Sequence, residues 1–307
     1  MINEHIDSFA GLPIFEFDPA GPPENPGAVA VRLSTGFEES EGFQSKWEAL
    51  FAADWVGQVR ALVIGQWGEA YESAIPVESL VERAATMPGL RALFLGELIG
   101  EESEISWIQM CDVTPLLQAF PGLEVLRVRG SDGLDFEAGS YPGLRELAFE
   151  SGGLPSSIVR AVGESDLPNV HHLELWLGTD NYGGDATAAD LASILAGAST
   201  PSLAYLGLRD SEIVDEVAAA LAGASVVGRL QTLDLSLGML SDVGAAALLA
   251  GQPLTHLRKL DLHHHFLTAE MMQRLRDELE PAGVEVDLSD ANLNARRPED
   301  RFIAVAE

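Results

Sequence analysis

One short pattern recurs along the chain and constrains its fold more than any other feature. An apolar residue is followed by two variable residues, a second apolar residue, one variable residue and a third apolar residue. Ten copies occur in order, with weaker copies at both ends, and they begin at Ala28, Val59, Leu90, Leu123, Leu144, Val170, Leu203, Leu230, Leu257 and Gly283. The last four starting positions, 203, 230, 257 and 283, differ by 27, 27 and 26 residues. A repeat of this length is typical of stacked units that bury their apolar faces against one another.

The residues between the copies have helical character. The segment 241–250 places apolar residues at helical spacing after Ser241, and the segment 268–279 does so after Thr268. The segment 186–196 predicts a helix capped by Thr187. Between Leu123 and Leu144 the interval is only 144 − 123 = 21 residues, which predicts an irregular or 3₁₀ crossing. Each unit is therefore predicted to be a strand followed by a helix or a shorter turn.

This spacing resembles the leucine-rich-repeat superfamily, near its ribonuclease-inhibitor-like class, over about residues 28–290. The opening GLPIFEF and the ending RRPEDRFIAVAE are also similar to an uncharacterised family of bacterial leucine-rich-repeat proteins. The resemblance implies an α/β solenoid of about ten repeats, with a curved parallel sheet inside and helices outside. The chain departs from the superfamily because none of its copies has Asn or Cys eight residues after the first apolar position.

The predicted organisation has three parts. Residues 1–27 contain five prolines and are expected to form an extended N-terminal cap. Residues 28–295 are expected to form one continuous leucine-rich-repeat solenoid, and residues 296–307 a C-terminal tail. The cap is needed because the first repeat would otherwise expose its apolar face.

Charge narrows the range of partners. The chain has 18 basic and 48 acidic residues, a formal net charge of −30. Proteins that bind nucleic acids neutralise phosphates with Lys and Arg, and anionic membranes attract basic surfaces. We therefore expect neither nucleic acid nor a membrane as a partner. A single cysteine and the lack of a secretory signal or long apolar segment favour a cytoplasmic location.

Enzyme motifs are absent from the sequence. It has no P-loop, no Gly-x-Ser-x-Gly and no His-Glu-x-x-His. Cys111 precedes Asp112, whose negative charge disfavours a reactive thiolate. We expect no catalysis and no cofactor.

Candidate partner-binding residues follow from the alternation of side chains along a strand, which places the residue between the second and third apolar positions on the concave face. Loops inserted after the strands add aromatic residues, including Tyr71 and Trp107. Aromatic and arginine side chains dominate interface energetics. The predicted partner-binding set is Trp67, Phe94, Arg127, Arg129, Trp176, Tyr182, Tyr205 and Arg209. The alternative is that these aromatic residues only anchor their loops.

An acidic concave patch is predicted near the C-terminal end, formed by Asp234, Asp261, His263 and Asp287. The simplest interpretation is a solvated acidic face, because like charges on adjacent strands repel. A basic partner is the functional alternative. A metal site is a third, since carboxylates and histidine are common ligands, although we expect no native metal.

These patterns favour a non-catalytic scaffold that binds a protein or peptide through the concave face and one loop rim. Two alternatives stay open: a structural subunit of a permanent complex, and a metal-dependent enzyme that uses the acidic patch. No motif identifies the partner.

Overall fold

The computed structural model describes residues 2–36, 39–295 and 297–306, which contain twelve strands and eight α-helices. The strands are β1 (Ser8–Phe9), β2 (Leu12–Glu16), β3 (Ala30–Leu33), β4 (Ala61–Ile64), β5 (Ala92–Leu95), β6 (Val125–Arg129), β7 (Glu146–Glu150), β8 (His172–Gly178), β9 (Tyr205–Ser211), β10 (Thr232–Asp234), β11 (Lys259–Asp261) and β12 (Glu285–Asp287). The helices are α1 (Ser40–Ala52), α2 (Val77–Glu82), α3 (Thr114–Ala119), α4 (Ser156–Glu164), α5 (Ala192–Ala196), α6 (Val214–Leu221), α7 (Asp242–Ala250) and α8 (Ala269–Leu279).

Each of the ten sequence copies contains one strand, β3 to β12. The second apolar residues of neighbouring copies lie opposite one another: Leu93 pairs with Leu126, and Leu233 pairs with both Leu206 and Leu260. These pairings are parallel, and the paired leucines are fully buried. The predicted leucine-rich register and the strand-plus-helix unit are therefore confirmed.

The N-terminal segment, residues 2–27, adds two strands that the repeat pattern does not contain. β1 and β2 form an antiparallel hairpin whose turn places Ala10 and Gly11 at φ of 50° and 74°. β2 then pairs parallel to β3, with Phe15 opposite Val31. Between β2 and β3 the only helical element is a 3₁₀ turn, Pro26–Ala28, because the prolines of this segment lack the N–H that a helix interior needs.

The chain divides into two compact units. The first contains the described part of residues 2–137 together with 143–149, and holds β1 to β6, nearly all of β7, and α1 to α3. The second contains residues 138–142 and the described part of 150–306, and holds β8 to β12 and α4 to α8. In each unit the strands follow one another in chain order.

The helices follow the sequence pattern where a capping residue is present. Ser241 caps α7 by accepting the Val243 N–H, and Thr268 caps α8 by accepting the Met271 N–H. The helix expected after Thr187 is shorter, Ala192–Ala196, because the Asp190 carboxylate accepts both the Thr187 N–H and hydroxyl and closes a turn. No helix forms between β6 and β7, as the short interval predicts. No helix in the described ranges is long and apolar enough to span a bilayer.

Left-handed turns follow the strands of the second unit. Asp210, Leu237, His264 and Asp290 have φ between 48° and 68° and are separated by 27, 27 and 26 residues, the same intervals as the repeat. The first three donate their N–H groups to the carbonyl oxygens of Ser236, His263 and Ser289, at 2.8, 2.9 and 3.1 Å. Backbone groups therefore align these turns in a ladder, without the Asn or Cys that the superfamily places there.

Two side chains of the C-terminal residues 301–306 pack into the core of the second unit. Ile303 and Val305 are each 5% exposed. The Ala304 N–H donates to the Leu237 carbonyl (2.8 Å), and the Val305 N–H donates to Asp210 Oδ1 (3.0 Å). This packing leaves the Asp210 carboxyl fully buried, and its Oδ2 has no hydrogen-bond partner among the described residues.

Burial raises the pKa of Asp210 to about 8. The folded state therefore keeps a proton that the unfolded chain releases near pH 4, so this carboxyl destabilises the fold progressively as the pH rises from about 4 to 8. We expect Asp210→Asn to be more stable than the parent at pH 8.5, with an advantage that shrinks towards pH 4 by at most about 1.4 kcal/mol per pH unit. Asparagine also tolerates the left-handed backbone of this residue. Urea denaturation at several pH values measures the difference.

Asp290→Asn is the matched control, because Asp290 has the same backbone conformation (φ 54°) but is exposed. It is measured at the same pH values and gives the effect of removing one exposed carboxylate from this kind of turn. If the Asp210→Asn difference is independent of pH, the folded protein holds Asp210 in its ordinary ionised form and the prediction is wrong.

Candidate functional site

In each unit, side chains at alternate strand positions form one side of the sheet, which is here called the open face. The buried leucines and the helices lie on the other side. In the first unit this face holds an apolar cluster on β3 to β5, bordered by arginine side chains. Ala30, Ala61, Val63, Ala92 and Phe94 form a buried cluster with Phe9. Ile6, Leu12 and Ile14 pack against the same cluster. The N-terminal segment therefore lies over the open face of β3 to β5.

A buried carboxylate fastens this segment. Glu97 follows β5 and is fully buried. Its Oε1 accepts the Ile6 N–H at 3.0 Å, and its Oε2 lies 3.1 Å from both the His5 Nδ1 and the Arg32 Nε. Because a buried charge needs a partner of opposite sign, Arg32 and Glu97 stabilise each other while they hold the segment in place.

The partner-binding residues predicted in the first unit make contacts within the protein itself. Phe94 is 1% exposed, and the guanidinium groups of Arg127 and Arg129 lie 5.8 and 5.1 Å from its ring centroid. Arg129, which is also buried, donates to the Leu98 carbonyl. Trp67 is 4% exposed and donates its indole N–H to the Ser73 carbonyl (2.8 Å).

Sequence reasoning missed the N-terminal covering of this face. A signal for it was present, because Ala30, Ala61 and Ala92 occupy equivalent open-face positions of three neighbouring strands. A column of small residues allows another chain segment to approach closely.

In the second unit the open face is polar and aromatic, and Glu174 lies at its centre. This carboxylate is 3% exposed. Its Oε1 accepts hydrogen bonds from the Trp176 indole (2.7 Å) and from Arg209 (2.8 Å), and its Oε2 lies 3.2 Å from the His172 Nε2. Glu174 thus brings two predicted binding residues, Trp176 and Arg209, into one network.

Arg209 joins this network to the next carboxylate. Its Nε lies 3.3 Å from Asp234 Oδ2, and its guanidinium carbon lies 5.1 Å from the Trp176 ring centroid. Tyr205 donates its hydroxyl hydrogen to the same Asp234 oxygen at 2.7 Å. Burial and the nearby Glu174 and Asp234 charges raise the pKa of Tyr205, so its hydroxyl stays protonated as a donor.

A glycine makes room for these contacts. In the strand register Gly207 lies between Glu174 and Asp234. A Cβ there would lie 3.0 Å from the Tyr205 hydroxyl and 3.2 Å from the Glu174 Cγ. A larger residue would therefore displace either the hydroxyl or the carboxylate.

The acidic patch continues across the next two strands. Asp234 pairs with Asp261, which pairs with Asp287. Lys259 Nζ lies 2.9 Å from Asp261 and 3.5 Å from Asp287, and the His263 Nδ1 lies 2.7 Å from Asp261. The hydrogen bond to Asp261 raises the pKa of His263. Burial opposes ionisation of Asp261, but its hydrogen bonds from His263 and Lys259 outweigh burial and lower its pKa.

Asp261, His263 and Asp287 could in principle hold a metal ion, because one ligand atom from each lies within 4.8 Å of the others. The Lys259 ammonium already contacts both carboxylates. A divalent ion would have to displace this ammonium and overcome its repulsion, so the local charge favours the lysine.

The open face of β8 to β12 carries excess negative charge. Five carboxylates, Glu174, Asp234, Asp261, Glu285 and Asp287, face two permanent cations, Arg209 and Lys259, which gives 2 − 5 = −3 with histidines neutral. The structure thus brings together Trp176, Tyr205, Arg209 and the acidic patch. Tyr182 is half-buried in a 3₁₀ turn, Asp180–Tyr182, that follows β8.

The sequence prediction did not include three polar members of this site, Glu174, His172 and Lys259. Glu174 lies two residues from Trp176, and Lys259 lies two residues from Asp261, both of which were predicted; His172 lies two residues further along the same strand from Glu174. A step of two residues along each strand, applied in both directions, would have found them.

Among solved structures, a bacterial protein of known structure superposes on most of this chain. A Bacteroides fragilis protein, known from its crystal structure, is 28% identical in sequence to this chain. The aligned region covers 91% of this chain and 78% of the Bacteroides protein, and the two superpose with a TM-score of 0.81. An internalin from Listeria monocytogenes is 15% identical. The aligned region covers 89% of this chain and 71% of the internalin, with a TM-score of 0.40. No family model and no curated protein matches the sequence.

Proposed function

Because the chain has a leucine-rich-repeat fold, whose exposed strand faces are suited to holding other proteins, we propose that it is a non-catalytic scaffold that binds a partner protein or peptide. The binding surface is the open face of β8 to β12. The partner segment carries Lys or Arg residues.

One observation carries this proposal: the carboxylates of this face are held in fixed positions beside aromatic side chains. Glu174, Asp234 and Asp261 are each less than 8% exposed, and each has a hydrogen-bond donor on the protein. A merely solvated acidic surface would leave its carboxylates in water. After these internal pairings the face keeps a net charge of 2 − 5 = −3, which favours a cationic partner, and because the side chains are already held in place little ordering remains to oppose binding.

The side-chain chemistry supports a scaffold more than an enzyme. Burial, with a further contribution from Asp112, raises the pKa of Cys111, which disfavours the nucleophilic thiolate. The carboxylates of the patch are paired with Lys259, His263 and Arg209. A cytoplasmic location, which one reduced cysteine favours, stays a prediction, as does the division into cap, solenoid and tail.

The proposal is tested with peptides rather than with an unknown partner. A fluorescent basic peptide and an acidic peptide of equal length are titrated against the full chain and against Glu285→Gln/Asp287→Asn. These two carboxylates lie at the more exposed end of the face. We expect the parent to bind only the basic peptide, and the double variant to bind it about fivefold more weakly. The difference should shrink as salt is added.

The matched control is Asp277→Asn/Glu278→Gln, which removes the same number of charges from the exposed side of α8. Its affinity for the basic peptide should equal that of the parent. Weakening by the α8 pair alone would move the binding surface to the helices and refute the proposal. If the chain instead co-purifies from its source in one stable complex of fixed composition, the structural-subunit alternative replaces it.

A further inference from the structure

Two exposed aromatic side chains of the first unit line a single cavity. Trp107 is 56% exposed and Tyr71 is 37% exposed, and no other large hydrophobic side chain in the described part of that unit is exposed to this degree. Both line a cavity of about 360 Å³ together with residues 100–104. This volume lies within the range of ligand-binding clefts. The cavity is open to solvent, so both aromatic rings are accessible to a ligand from outside.

The fold holds this pair in place from behind. Tyr71 follows β4 and Trp107 follows β5, and the Gln109 N–H ties the two loops together by donating to the Ala70 carbonyl (2.8 Å). Ile105 and Ile108, on either side of Trp107, are 4% and 0% exposed. The indole is thus displayed by a loop whose neighbouring residues are anchored in the core. Trp67, by contrast, anchors its own loop and is buried.

The remaining lining is acidic. Glu101, Glu102 and Glu104 line the cavity, and no Lys or Arg does. Glu102 is occupied within the fold, since its Oε2 accepts the Ile99 N–H (3.2 Å) and its Oε1 lies 3.4 Å from the His5 Nε2. Glu101 and Glu104 add two further negative charges. An aromatic ring attracts a cation over its face, and nearby carboxylates strengthen that attraction.

We propose that this Tyr71–Trp107 cavity binds one lysine or arginine side chain of a peptide. The methylene stem lies against the aromatic rings, and the cationic head lies between the rings and the glutamates. An apolar side chain would gain nothing from the charges of Glu101 and Glu104, and an anion would be repelled by them. The site belongs to the first unit and adds to the scaffold function a second position that recognises a single cationic residue.

The test uses two tripeptides that differ only in the charged group, N-acetyl-glycyl-lysyl-glycinamide and its norleucine analogue. Each is titrated into the ¹⁵N-labelled full chain, whose five tryptophans give five indole N–H resonances. The variant Trp107→Phe identifies the resonance of Trp107. We expect the lysine peptide to shift that resonance saturably and to bind at least about fivefold more tightly than the norleucine peptide.

Variants separate this site from the open face of the second unit. Glu101→Gln/Glu104→Gln should weaken lysine-peptide binding about fivefold, whereas Glu285→Gln/Asp287→Asn should leave it unchanged. Retained binding here alongside lost binding on the open face, or the reverse, tells which of the two proposals fails. Equal affinity for the norleucine peptide, no shift of the Trp107 resonance at millimolar peptide, or tighter binding of tetramethylammonium than of the lysine peptide would overturn the assignment to a peptide side chain.

Discussion

Phe94→Ala should lower the free energy of unfolding by about 3–5 kcal/mol, the largest effect that we expect from a single substitution in this chain. Phe94 is 1% exposed, and its ring centroid lies 5.7 Å from that of Phe9 in the N-terminal segment. Alanine would leave a cavity on the open face and remove the ring that Arg127 and Arg129 contact. Urea denaturation followed by circular dichroism measures the change.

Trp107→Ala is the control for Phe94→Ala, because Trp107 is an aromatic residue of the same unit that is 56% exposed. Its stability should stay within about 0.5 kcal/mol of the parent. If Phe94→Ala leaves the urea midpoint unchanged, the N-terminal segment does not pack over this face. The sequence alone placed Phe94 among the partner-binding residues, where an effect on binding rather than on stability would be expected. Its burial makes loss of stability the expected result instead.

Leu260→Ala is expected to cost about 2–5 kcal/mol. Leu260 is fully buried and lies opposite Leu233 and Val286 in the strand register. The cavity left by alanine would therefore open between neighbouring repeats. Leu293→Ala makes the same chemical change at a side chain that is 62% exposed, and should change stability by less than about 0.5 kcal/mol. Similar urea midpoints for the two variants would mean that the assigned register is wrong.

The repeat predicted the strands well because burial of the leucines leaves one register. A shift by one residue would turn Leu233 and Leu260 to the opposite side of the sheet, away from the helices that they pack against. The period also distinguished segments with room for a helix from the short interval between β6 and β7. These features depend on contacts between neighbouring repeats. The regular spacing of the apolar residues in the sequence already indicates which residues make those contacts.

The site was predicted less completely, because it depends on which parts of the open face the chain covers itself. Phe94 and Trp176 occupy open-face positions and look alike in the sequence. One lies under the N-terminal segment, and the other lies beside Glu174 and Arg209. The contact between His5 and Glu97 spans 92 residues and has no local signature. Lys259 occupies a variable position of the repeat, so the apolar pattern does not mark it.

The backbone ladder formed by the turns at Asp210, Leu237 and His264 has an evolutionary consequence. Every hydrogen bond in this ladder joins one repeat only to the next repeat of the second unit. The turns recur at intervals of 27 residues or one fewer. Duplication of one such module within a gene would add about 4.8 Å of sheet without removing a bond from any existing neighbour. Descendants of this chain can therefore lengthen or shorten their recognition surface by whole modules, while point substitutions on the strands change what each module recognises.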